Sequence, residues 1–143
     1  MNTRILPLIL LLFGLNISHG QHKFTNVKIK NFEVEIKTNS IEELKEFDWK
    51  ETLNYFKKEG SNHSVKVSFT LKRPKINNQA IIECFKRIQR VEGLSFHHKL
   101  RYGVNSKKIR AYTFSTEGKP KKIDELIALM KNHITNMDSF ISS

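Results

Sequence analysis

Cysteine occurs once in this chain of 143 residues, at Cys84, so no internal disulfide can close and the fold must be held by packing. Acids are scarce: 14 Asp plus Glu stand against 25 Lys plus Arg, a formal net charge of +11. Motifs are scarce too. There is no Gly-rich phosphate loop, no zinc-spaced set of Cys and His, no nucleophile elbow and no carboxylate pair, so no cofactor or metal is expected. Repeats, low-complexity tracts and interdomain linkers are equally missing, and 38% hydrophobic residues is ordinary for a chain that folds.

The longest apolar run, Ile5 to Leu15, is far short of the roughly 20 residues that a membrane-spanning helix needs. It follows the α-amino group and Arg4, and it precedes the small residues Ser18 and Gly20. That layout is a secretory signal peptide cut near Gly20/Gln21. The expectation is a leader over residues 1–20 and one domain over 21–143, secreted or periplasmic, with no stable membrane insertion after cleavage.

The charge is uneven along the mature chain. Gln21 to Gly60 carries eight Lys and eight acids, whereas Ser61 to Ser143 carries sixteen Lys plus Arg and six acids. Such asymmetry suits a surface for an anionic polymer or an acidic protein partner. Abundant Lys, Ile and Asn also fit AT-rich coding, which raises lysine without any binding role.

Hydrophobic spacing gives the elements. Val27 and Ile29, then Phe32, Val34 and Ile36, alternate with a phase slip at Lys30-Asn31, read as a bulged strand or one starting at Asn31. Ser40 and Glu43 offer a helix start, and Asp48 offers a second, followed by a main helix from Trp49 to Glu59 that Gly60 ends. Val65, Val67, Phe69 and Leu71 make the cleanest strand, stopped by Pro74, with Lys72-Arg73-Pro74-Lys75 read as a solvated turn. Ile81, Cys84, Phe85 and Ile88 mark one face of a helix from Asn78 to Glu92, which buries Cys84. Residues 94–116 read as a hairpin, and Ile123, Ile127, Met130, Ile134 and Met137 as the inner stripe of a last helix from Lys121. The fold class expected is α+β: about four mainly antiparallel strands and three helices in the order β-α-β-α-β-β-α, with the helices mostly on one face.

The hairpin holds the candidate site. A loop of even length pairs even positions of the first strand with odd positions of the second. That parity groups His97, Lys99, Arg101, Arg110, Tyr112 and Phe114 on one face. Like charges on neighbouring strands repel, and an anionic ligand would offset this while the rings offered stacking surfaces. The counter-reading is neutralisation by Glu33 and Glu35, or rings packed under a helix. Lys119, Lys121 and Lys122 ahead of the last helix form a second candidate anion site, with Asp124 and Glu125 as compensating charges. His97 and His98 are adjacent on a strand, so they point to opposite faces and cannot share a metal. An alternative function is a secreted phosphodiesterase or ribonuclease-like enzyme in which His97 acts with His63 or His22, and Lys99 or Arg101 stabilises the phosphorane. The leader makes the first prediction: the mass of the exported protein should correspond to a chain beginning at Gln21, and a species beginning before Ile5 would overturn export.

Overall fold

The computed structural model describes residues 26–59 and 62–142. The leader expected over residues 1–20, the helix stop at Gly60 and His22 lie outside the described residues. Five strands, β1 (Asn26–Lys30), β2 (Glu33–Thr38), β3 (Val65–Lys72), β4 (Leu94–Tyr102) and β5 (Ile109–Gly118), form one sheet in the order β1-β2-β3-β5-β4. Four helices join them: α1 (Ile41–Glu46), α2 (Trp49–Glu59), α3 (Asn78–Lys86) and α4 (Ile123–Ser142), the last preceded by a 3-10 turn at Pro120–Lys122. The α+β class holds, with five strands and four helices in place of four and three.

The extra strand comes from the phase slip in the first apolar run. Asn31 takes a positive φ of 55°, which Asn tolerates more readily than most residues, and the chain reverses there. Val27 then faces Ile36 and Ile29 faces Val34 in an antiparallel pair. The extra helix is α1. Ser40 caps it by accepting from the Glu43 amide at 3.3 Å, while the Glu43 carboxylate turns away to the Thr38 hydroxyl, so the reciprocal half of the capping box is not made. Asp48 caps α2 by accepting from the Glu51 amide at 2.9 Å. The span α1–α2 carries the chain from β2 to a parallel β3, and the other three pairings are antiparallel.

Helix α3 stops earlier than its apolar spacing implies. The amides of Arg87 and Ile88 bond to the carbonyls of Cys84 and Phe85, three residues back, which tightens the last turn and ends the helix. Gly93, at φ 89°, then supplies the left-handed step into β4 rather than a helix cap.

One face of the sheet is the core. Val34, Ile36, Val67, Phe69, Leu71, Tyr112 and Phe114 lie on it, all buried. Phe85 of α3 reaches it at Phe96, His98 and Phe114, and His133 of α4 reaches it at Phe69, Tyr112 and Phe114. Trp49, 1% exposed, packs edge-on to Phe47 and donates its indole N–H to the Leu44 carbonyl at 3.3 Å, so it belongs to the interior. Cys84 is fully buried on the inner stripe of α3, and burial raises its thiol pKa.

Phe69 sits at the centre of the middle strand, fully buried, with the rings of Phe114, Tyr112 and His133 at 5.8, 6.2 and 6.5 Å. Phe69→Ala should cost about 3–5 kcal/mol by urea denaturation. A loss below about 1 kcal/mol would mean that this ring is not a centre of the core.

Candidate functional site

Alternation sends every second side chain of the five strands to the face opposite the core. Four hydroxyls line its middle on the two central strands: Ser68 and Thr70 on β3, opposite Ser115 and Thr113 on β5. Thr70 and Thr113 share a hydrogen bond at 2.9 Å. Ser68 and Ser115 are only 8% and 6% exposed, because short side chains sit low between longer neighbours. The rims carry the charge, and its two ends differ.

At one end, cross-strand pairing runs Lys30, Glu33, Lys66, Glu117, so each charge has an opposite neighbour. Such pairs contribute roughly 0.2–1 kcal/mol each. Lys28 opposes Glu35 in the next row. Further along, the described ladder positions hold no acid: Lys37, Thr70, Thr113 and Lys99 lie in one row, and Lys72, Ala111 and Arg101 in the last. Glu33 and Glu35 therefore neutralise the first end only. Even Glu35, which shares a row with His97, is three interstrand spacings away, about 14 Å.

His97, Lys99 and Arg101 share this face, as the sequence pattern implies, and all three are exposed. Tyr112 and Phe114 do not. They are opposite Leu100 and His98 in the ladder and fully buried on the core face. The correction has a local cause. Tyr102 pairs with Ile109, as an even loop requires, but Arg101 pairs with Ala111, which leaves Arg110 as an extra residue in β5. That bulge shifts the register by one, and one residue moves every later side chain to the other face. Ala111 and Thr113 take the places expected for Tyr112 and Phe114.

The bulge has a partner on β3. The Arg73 amide bonds to the Arg110 carbonyl at 2.8 Å, beyond the last ladder pair of Lys72 with Ala111. Arg73 holds φ 46°, the only positive φ among the described residues that is neither Gly nor Asn. It precedes Pro74, a position that favours extended backbone. This conformation costs roughly 1–2 kcal/mol for an L-residue with a Cβ. Around it lies a hollow of about 320 Å³ lined by Asn39, Lys72, Arg73, Arg101 and Arg110. Sequence reasoning missed Asn39, Lys72 and Arg73 here. The signal was present in Lys72-Arg73-Pro74-Lys75, but only folding brings that turn beside Arg101 and Arg110.

The lysines ahead of α4 are arranged differently. Lys122 turns toward Glu125 at 4.0 Å and lays its stem against Gly93, while Lys119 and Lys121 are exposed. Asp124 pairs with Lys57 at 3.2 Å. Carboxylates are thus interspersed with these cations, as they are not at the far end of the sheet.

The described histidines are dispersed. His97 stands opposite Ser115 on the open face, whereas His63 packs its ring 5.1 Å from Phe32 in the loop before β3. His98 faces the core, stacked on Phe85 at 3.7 Å, and its Nδ1 lies 3.1 Å from the Tyr112 hydroxyl. That hydroxyl also lies 2.8 Å from His133 Nε2. Fewest buried donors go unpaired if His133 Nε2–H donates to Tyr112 Oη and Tyr112 O–H donates to His98 Nδ1. His133 Nδ1 is then a bare, buried acceptor without a partner among the described residues. Burial, with a smaller contribution from His98, depresses the His133 pKa to about 3, and burial raises that of the Tyr112 phenol. Burial, and then the neighbouring His97, lowers the pKa of His98 as well.

This buried network predicts an acid-sensitive core. With His133 near 3 when folded and about 6.5 when unfolded, the unfolded chain binds the additional proton between those values. Its contribution to stability is full above about pH 6.5 and is lost as pH falls toward 3. Urea midpoints measured from about pH 7 down to about pH 4 should fall, and in His133→Phe they should fall less steeply. Equal slopes would remove His133 as the cause. Comparison of the chain with protein-family models, curated proteins and solved structures finds no match.

Proposed function

We propose that the protein is a small exported binding domain that takes an anionic polymer, or an acidic partner, on the open face of its sheet. The carrying observation is the division of charge on that face. Its far end presents Lys72, Lys99 and Arg101 without a neighbouring acid in the ladder, beside a floor of small hydroxyls. Long cationic side chains around a low polar floor can meet an extended chain of negative groups, and the hydroxyls can bond to its oxygens. The aromatic rings expected to stack on a ligand lie in the core, so this reading relies on charge and hydrogen bonding and not on base stacking. Export directs it toward extracellular or envelope polyanions, through the leader pattern of residues 1–20.

The test is retention on immobilised heparin and on immobilised polyphosphate over a salt gradient. Wild-type protein should be retained and released by salt. Lys99→Ala with Arg101→Ala should elute earlier, and its salt slope should be shallower by about 0.7–0.9 per cation engaged, by analogy with nucleic-acid phosphates. Identical elution of wild type and double variant would sink the face as the binding surface.

A further inference from the structure

Two irregularities of the backbone converge on one spot at the cationic end of the sheet. The bulge in β5 adds Arg110, and the end of β3 turns Arg73 into a left-handed conformation before a proline. A hydrogen bond joins the two residues directly, from the Arg73 amide to the Arg110 carbonyl. Each feature sets an arginine at the hollow that Asn39, Lys72 and Arg101 complete. Ala111 stands between Lys72 and Arg101 in the ladder, and its short side chain leaves room between two long ones. The stem of Arg110 lies across Gly103, where an added Cβ would come within 3.1 Å of its Cδ, so the absence of a side chain there lets the arginine lie flat over the turn. No ion pair joins any of these four cations to a carboxylate among the described residues.

Three guanidinium groups and an ammonium that line one hollow without a paired carboxylate among the described residues repel one another. The strained backbone at Arg73 adds one more cation to this group, and such strain collects at functional sites. We infer that this hollow is a discrete site for the tetrahedral oxyanion of a phosphate or sulfate ester. Arginine offers such a group paired, parallel N–H donors, and Asn39 adds a neutral amide. The volume of about 320 Å³ lies at the lower end of the range of small-molecule sites, roughly 300–1,000 Å³. Arg73 and Arg110 also line an adjoining hollow of about 800 Å³ with Pro74, Val104 and Ile109. The inference rests on the proposed anion-binding face for its charge, but it names a bounded site within it.

Arg73→Gly tests it with little risk to the fold, because glycine adopts positive φ without penalty. The full mature chain is titrated calorimetrically with glucose 6-phosphate and glucose 6-sulfate at constant ionic strength, with glucose as the uncharged control. Binding of either ester but not of glucose, weakened at least tenfold in Arg73→Gly with an equal or higher melting temperature, is the expected result. If Arg73→Gly melts lower, Arg110→Lys decides. It keeps the charge but loses the paired donors, and affinity should still fall about fivefold or more. Undiminished affinity in the folded variant would overturn the site. So would failure of the wild type to bind both esters, and heparin retention in that case would leave the polymer-binding face standing without the hollow. Ester binding without heparin retention would support the hollow and remove the polymer. Preference for the phosphate or the sulfate arm identifies which ester the site takes.

Discussion

Near the turn of the last hairpin Tyr102 stands opposite Ile109, and one step further Arg101 stands opposite Ala111, so the ladder passes over Arg110. The aromatic centre of the core and the polar character of the opposite face both depend on this skipped residue. Beyond it, Tyr112 and Phe114 turn inward to meet Phe69, His133 and Phe85, which gives the core its aromatic centre. Ala111, Thr113 and Ser115 turn outward, which keeps the exposed side low and polar. Without the shift, two rings would lie in water and an alanine and a threonine would fill the interior. The hydrophobic effect therefore holds the bulge in place: roughly 1.5–3 kcal/mol for each large apolar side chain buried far exceeds one lost ladder position.

What local pattern encodes was legible in advance. The alternation of Val65, Val67, Phe69 and Leu71 marked β3, the start at Trp49 marked α2, and the stripe through Ile81 and Cys84 marked α3 with its thiol inside. Alternation also carried His97, Lys99 and Arg101 to a common exposed side. What failed depends on partners distant in sequence or on a single backbone angle. The turn at Asn31 makes two strands from one apolar run, and no periodicity distinguishes that from a bulge. The side to which Tyr112 points depends on pairing across the hairpin, where an even loop gave the right parity for one pair only. The parallel contact of β2 with β3 is likewise a property of the sheet and not of either segment.

Uneven charge along the chain becomes uneven charge across a surface. The balanced first third supplies Glu33, between Lys30 and Lys66, and Glu35, opposite Lys28, at one end of the sheet. The basic remainder supplies Lys72, Arg73, Arg101 and Arg110 at the other. Coding bias can add lysine anywhere on a surface. It does not account for an arginine in a left-handed conformation whose amide meets the carbonyl of the bulged residue.

The sheet is open, with β1 and β4 at its borders. Each border strand has a row of amide and carbonyl groups with no strand beyond it among the described residues, the usual template for stacking copies into fibrils. Both carry cations at two successive outward positions, Lys28 and Lys30 on one, Lys99 and Arg101 on the other. Copies that approached border to border with these positions opposed would bring like charges together. The excess of positive charge thus also acts as a colloidal safeguard, keeping a chain with no internal disulfide dispersed.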